Sequence, residues 1–116
     1  MTKIRTIRGV YDFAKLGGAV SAITLTGCAV PTGAVISRVF FNPITTVTSS
    51  GSATIAVAIG GVAVKAATAF DNAAYTAKSL LYSTGAPTTT SAAATVTVAT
   101  AALTAGKFEL VIEYFN

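Results

Sequence analysis

Near its C-terminus the chain reads KFELVIEYF, a run that suits only one regular conformation. Phe108, Leu110, Ile112 and Tyr114 recur with period two, and Lys107, Glu109, Val111 and Glu113 fill the positions between them. Successive side chains of a strand point to opposite faces, so this spacing predicts a β-strand with one apolar face; a helix would scatter the same residues around its circumference. Just upstream, ATVTVAT sets Val96 and Val98 against Thr95 and Thr97. The two runs together read as a hairpin whose turn lies near Thr104 to Gly106.

The same signal recurs along the chain. SATIAVAI alternates Ala53, Ile55, Val57 and Ile59 with Ser52, Thr54, Ala56 and Ala58, and Gly60-Gly61 then permits the positive φ angles of a tight turn, with VAVKA returning. Val30-Pro31-Thr32-Gly33 suits a turn with proline at its second position. AVISRVFF follows as a strand that Asn42-Pro43 ends or kinks, and Thr45 to Ser52 reads as an exposed crossing. SAITLT is a further short strand, and IRTIRGVYDFA is one extended N-terminal strand or arm. KAATAFDNAAYTAKSLLY is Ala-rich, which favours helix, but Phe70, Tyr75 and Leu80 do not keep a helical period, so a short helix or an irregular excursion is expected. The fold class that follows is all-β: a single-domain β-sandwich or jelly roll of about seven or eight short antiparallel strands. Residues 1–15 form a basic N-terminal arm or first strand, and residues 16–116 form the sandwich, a length that suits one core.

Composition narrows the function. Hydrophobic residues make up 53% of the chain and charged residues only 10%, against roughly 25% in ordinary soluble proteins. A compact chain of this size exposes about 5,800 Å², which eight cations and four anions must cover. Such sparse charge fits a membrane protein, a surface protein coated with Thr and Ser, or a subunit that buries much of its outside against neighbours. The uncharged stretches Val39 to Val64 and Ser79 to Gly106 are long enough to span a bilayer, but Asn42-Pro43, TSSGS and Gly85-Ala86-Pro87 interrupt them. No membrane helix is expected. LTGC, Leu25 to Cys28, has the form of a lipoprotein cleavage site, yet the basic start is followed by VYDFAK, with Asp12 and Lys15, and then by a run broken by glycines and hydroxyls. That is a poor apolar core for a signal peptide. Cys28 reads instead as a small half-buried cysteine at a strand end, and a single cysteine makes no internal disulfide.

Catalytic chemistry is not expected. Histidine, the commonest general base and metal ligand, is absent. Glu109 and Glu113 share a strand face, but four residues of strand separate them by roughly 13 Å, beyond the reach of a glycosidase pair. They read as two solvated surface carboxylates. Cys28 has no histidine to activate it, four dispersed acids make no metal cluster, and AIGG lacks the lysine and helix of a phosphate loop. The chain is read as a non-enzyme without a cofactor.

What remains is the basic N-terminus. Lys3, Arg5, Arg8 and Lys15 against Asp12 carry most of the net charge of +4. Lys3, Ile4, Arg5, Ile7, Arg8 and Lys15 suit an extended segment that lays apolar side chains on a partner while its cations meet acidic groups. The same residues also suit a charged end strand that protects a sheet edge. Nucleic acid is not an expected partner: four phosphate contacts bind weakly, and although Tyr11 and Phe13 could stack on bases, the rest of the chain offers no basic groove. Sugar binding has no tryptophan to build on, only four tyrosines.

Taken in order, VPTGAVISRVFF, SGSATIAVAIGG and TVATAALTAGKFELVIEYF resemble small virion proteins of tailed bacteriophages, the capsid decoration or cement proteins. The resemblance runs from about Val30 to Asn116 and lies in a pattern of strands and turns. It implies a β-sandwich, often trimeric, on the outer surface of the head, where it clamps neighbouring major capsid protein subunits. The N-terminal cations would then meet an acidic shell surface. A head-fibre or tail-tip adhesion module binding a host-surface ligand is the competing expectation, with TSSGS and PTTTSAA as its exposed tips. A pilus or surface-layer subunit is a third.

Overall fold

The computed structural model describes residues 4–25, 29–83, 85–88 and 93–115. Among them are nine strands: β1 Ile4–Asp12, β2 Ser21–Thr24, β3 Val35–Ser49, β4 Thr54–Ile59, β5 Val62–Ala69, β6 Ser79–Tyr82, β7 Ala86–Pro87, β8 Ala94–Ala99 and β9 Leu103–Phe115. Two single turns of helix interrupt them, α1 Phe13–Leu16 and α2 Ala73–Thr76, capped by the side chains of Asp12 and Asn72. The strands form a two-sheet sandwich. The first sheet has the order β1-β9-β3-β6, with β7 also on β3, and the second has the order β2-β8-β4-β5. Every strand pair is antiparallel.

The inner faces follow the alternation of the sequence. Phe108, Leu110, Ile112 and Tyr114 of β9 are all buried, as are Ala53, Ile55, Val57 and Ile59 leading into and along β4, and Val96 and Val98 of β8. The middle of the first sheet is aromatic. Tyr11 of β1 stacks on Phe108 with ring centroids 5.0 Å apart, Phe108 meets Phe41 of β3 at 4.7 Å, and Phe41 meets the edge of Tyr75 of α2 at 5.4 Å. Tyr75 then donates its hydroxyl hydrogen to the Ile55 carbonyl 2.8 Å away in the second sheet, so one side chain ties the two layers together.

β4 and β5 form the expected hairpin, with Gly60 and Gly61 at φ 54° and 88°. β8 and β9 do not pair with each other, contrary to the expected hairpin. β8 lies in the second sheet and β9 in the first, and the chain crosses between them at a tight bend where the Ala101 amide reaches the Ala99 carbonyl at 2.8 Å. The bend falls at Thr100, not near Gly106. Gly106 sits within β9 because the Cα of Val47 would lie 2.8 Å from any Cβ added there. Alternation reveals which face of a strand is inner and says nothing of which strand lies beside it.

Two further elements differ from expectation. β3 does not stop at Asn42-Pro43 but continues to Ser49 along β9, with Val47 buried, so the exposed crossing shrinks to Ser50 to Ser52. The pairing slips between Pro43 and Thr45, which accommodates a residue with no amide hydrogen. In the Ala-rich segment, residues 65–69 extend β5, only Ala73–Thr76 are helical, and residues 79–82 pair with β3 as β6. The turn after Val30 is shifted by one residue: the Ala34 amide bonds to the Pro31 carbonyl, with Gly33 at φ 84°. β3 and β9, of 15 and 13 residues, are not short, and their ladder accounts for the 48 Å length of a molecule only 23 by 22 Å in section.

Candidate protein-binding face

The outer face of the first sheet is built from the residues between the core positions. On β9 these are Lys107, Glu109, Val111, Glu113 and Phe115, all half-buried. β1 sets Ile4, Thr6, Arg8, Val10 and Asp12 beside them, and β3 sets Arg38 beside Glu113, Phe40 beside Val111 and Asn42 beside Glu109. β6 adds Leu80 next to Phe40. Of the large apolar side chains that are half or more exposed among the described residues, Ile4, Ile44 and Leu80 lie on strands of this sheet, and Val20 lies before β2.

Two adjoining grooves cut this face. One, of about 460 Å³, has Phe40, Leu80 and Val111 as its apolar lining, with Arg8, Asn42, Lys78 and Glu109 around it. The other, of about 520 Å³, lies between Val10, Leu16 and Ile44, with Asp12, Lys15, Lys107 and Glu109. Glu109 lines both.

Neither glutamate is the solvated carboxylate expected from the sequence. Glu109 lies 3.5 Å from the guanidinium of Arg8, and Glu113 lies 2.7 Å from Nε of Arg38, each glutamate side chain being about four-fifths covered. The Arg38 contact balances charge without a well-aligned hydrogen bond, so Glu113 Oε1 is buried and unbonded. Arg38 also lies 5.6 Å from the centroid of the Phe40 ring, within cation–π range. Lys15, Lys78 and Lys107, by contrast, have no ion-pair partner among the described residues.

The N-terminal residues singled out in the sequence are dispersed. Lys3 lies outside the described residues. Residues 4–12 are an edge strand paired with β9 along their whole length, from Ile4 opposite Phe115 to Asp12 opposite Lys107. Ile4 and Arg8 belong to the outer face, whereas Arg5 and Ile7 belong to the inner row, where Ile7 packs against the core. Lys15, on α1, lines the second groove. Ile4 and Ile7 therefore cannot lie together on one partner surface: three residues apart on a strand, they point opposite ways. Tyr11, in the same segment, is fully buried, and its hydroxyl bonds to the Gly17 carbonyl at 2.7 Å.

The residues that sequence reasoning missed are Phe40, Ile44, Lys78, Leu80, Lys107 and Val111. A signal for two of them was present: Phe40-Phe41 and Leu80-Leu81 are doublets of large apolar residues, and a strand must turn one member of each outward. The outer face of the second sheet is different in kind. Thr24, Ala56, Ala58, Ala63, Thr95 and Thr97 make it a face of small side chains, without formal charge apart from Lys65 on the edge strand β5. Among the described residues no three of His, Cys, Asp and Glu cluster as metal ligands, and no helix is long and apolar enough to cross a membrane. Cys28 lies outside the described residues.

No known protein family matches the chain, and no curated protein does. Its fold is similar to that of a chain in the acidic stable capsid structure of Helicobacter pylori bacteriophage KHP30, with a TM-score of 0.67 and 13% identity over 100% of this chain and 94% of that one. It is also similar to a chain in the cyanophage Pam1 capsid asymmetric unit, with a TM-score of 0.64 and 19% identity over 98% of this chain and 85% of that one. At these identities the likeness is one of fold, extending over nearly the whole of all three chains.

Proposed function

We propose that this chain is a structural, non-enzymatic virion subunit, a decoration protein on the outer surface of a phage head that stabilises the lattice of the major capsid protein. The observation that carries the reading is the end-to-end likeness to chains of similar length in two phage capsids. The strand order supports it. With the two-residue β7, which also pairs with β3, set aside, β1 pairs with β9, β2 with β8, β3 with β6 and β4 with β5, so that the pairs nest, and this ladder rolls up so that β9 meets β3 and β8 meets β4. This order suits a jelly roll, an architecture shared by viral capsid domains, and supports the reading on that ground.

The mechanism is one of linkage. A protein that binds the assembled lattice and not its separated subunits adds interface free energy that must be lost before the lattice opens. A trimer would make the effect steeper, because all its contacts must release together. The two dissimilar faces suit such a subunit: the grooved, cationic face of the first sheet meets the shell, and the uncharged face of the second, which has little polar surface to desolvate, meets its symmetry mates.

Co-sedimentation of the purified protein with shells assembled without it, combined with copy number from gel densitometry of native particles, tests the reading. Saturable binding in near-fixed ratio to the major capsid protein is the expected result. Absence of binding, or only a few copies per particle, would overturn it. Removal of residues 1–15 is unsuitable as a test of the N-terminal cations, since it takes away β1 and the core residue Tyr11. Substitution of Arg5 and Arg8 is the informative change.

A further inference from the structure

Charge on the outer face of the first sheet is unevenly satisfied, and the imbalance says what kind of surface fits it. Five cations, Arg8, Lys15, Arg38, Lys78 and Lys107, stand there with three carboxylates, Asp12, Glu109 and Glu113. Both glutamates already have an arginine, and Asp12 caps α1 by accepting the Ala14 amide. The lysines are left without partners among the described residues. Lys78 flanks the groove floored by Phe40, Leu80 and Val111, and Lys107 stands with Lys15 at the adjoining one. Leu80 is 50% exposed, the largest apolar exposure in the first groove.

We propose that the groove between Phe40, Leu80 and Val111 receives an apolar side chain from an acidic segment of the shell protein, whose carboxylates meet Lys78 at that groove and Lys107 at the adjoining one. The inference rests on the reading of this chain as a virion subunit and names the partner chemistry of its binding face. An apolar anchor in a desolvated pocket supplies the affinity, and the lysines at the rim supply orientation and rate. A second copy of the chain is a poor occupant, because face-to-face pairing would set one cationic excess against another. Glu109 lines both grooves, so an occupant that spans both must leave that position uncharged or supply a cation to it.

The test uses Leu80→Asp and Lys78→Glu in the full chain, with Thr32→Asp, in the exposed turn before β3, as a control that adds the same charge as Leu80→Asp. Thermal unfolding first establishes that each variant folds; both sites are exposed enough to tolerate the changes. Binding to shells assembled without this chain is then measured at low and high salt. Both groove variants are expected to bind about tenfold more weakly or worse, the control to bind like the wild type, and the wild type to lose affinity with salt. If the wild type binds shells and the groove variants bind equally well, the groove assignment is overturned and the virion reading stands. If the wild type does not bind, both fall. A lower molar mass of Leu80→Asp in solution would make the occupant a second copy and overturn the acidic-partner assignment.

Discussion

Tyr75 concentrates several forces in one residue. Its ring packs edge-on against Phe41, its hydroxyl bonds to the Ile55 carbonyl of the opposite sheet, and it is 1% exposed. Tyr75→Phe keeps the ring and strands the carbonyl, so it is expected to cost about 1–2 kcal/mol; Tyr75→Ala opens a cavity and should cost about 3–5 kcal/mol. Urea unfolding of the two variants measures both. Burial raises the pKa of Tyr75 well above its ordinary 10.0, and burial, followed by the charge of Asp12, also raises that of Tyr11. The unfolded chain releases these protons from about pH 10 while the native chain keeps them. Their contribution is therefore fully present below that pH and is lost as pH rises above it. Urea midpoints taken into the alkaline range should fall from about pH 10, and more shallowly in Tyr75→Phe. Thr100 is a second informative residue, a β-branched side chain at φ 73°. Left-handed backbone costs about 1–2 kcal/mol in an L-residue, and glycine gives back about 0.5–1 kcal/mol as unfolded-state entropy. Thr100→Gly is thus expected to stabilise by about 0.5–1 kcal/mol, read as a higher unfolding temperature. Neither residue was legible in the sequence: Tyr75 lies among alanines that set no period, and nothing about a threonine announces positive φ.

At the scale of elements, β3 shows what alternation can and cannot resolve. The doublet Phe40-Phe41 looks symmetrical in sequence, yet Phe41 is 1% exposed at the aromatic centre while Phe40 belongs to the outer face under Arg38. Phe41→Ala should therefore cost about 3–5 kcal/mol and Phe40→Ala only about 1 kcal/mol, an asymmetry that paired denaturation curves measure directly. The inner rows of β4, β8 and β9 were readable because period two is a local property of consecutive residues. The partners of those strands were not, since β9 finds β1 across almost the whole length of the chain and β8 leaves for the other sheet. Gly106 misled for a related reason. A glycine reads as a turn when only its neighbours in sequence are visible, whereas this one is required by Val47. The grooved face suffered most, because its grooves assemble from β1, β3, β6 and β9, and the N-terminal charge that drew notice contributes only part of it.

On the scale of the whole molecule, the sparse charge turns out to be segregated as well. Nearly every charged side chain among the described residues lies on or beside the first sheet, and the second presents alanine and threonine. A chain that needed only solubility would have no reason to divide its surface in this way, whereas a subunit with two kinds of neighbour would. Thr97 lies near the middle of the uncharged face, opposite Ala22 on one side and Ala56 on the other, and it is exposed. Thr97→Glu therefore leaves the core untouched but places a carboxylate where a symmetry mate would have to desolvate it. If this face holds the oligomer, light scattering should show the variant as a monomer while its unfolding temperature changes little. Shell affinity should then fall about a hundredfold or more, since a monomer loses the effective concentration that linked sites provide. Leu80→Asp should do the reverse, keeping the oligomer and losing the shell. A Thr97→Glu protein that stays oligomeric and binds like the wild type would assign the uncharged face to solvent and leave the scarcity of charge there without a binding role.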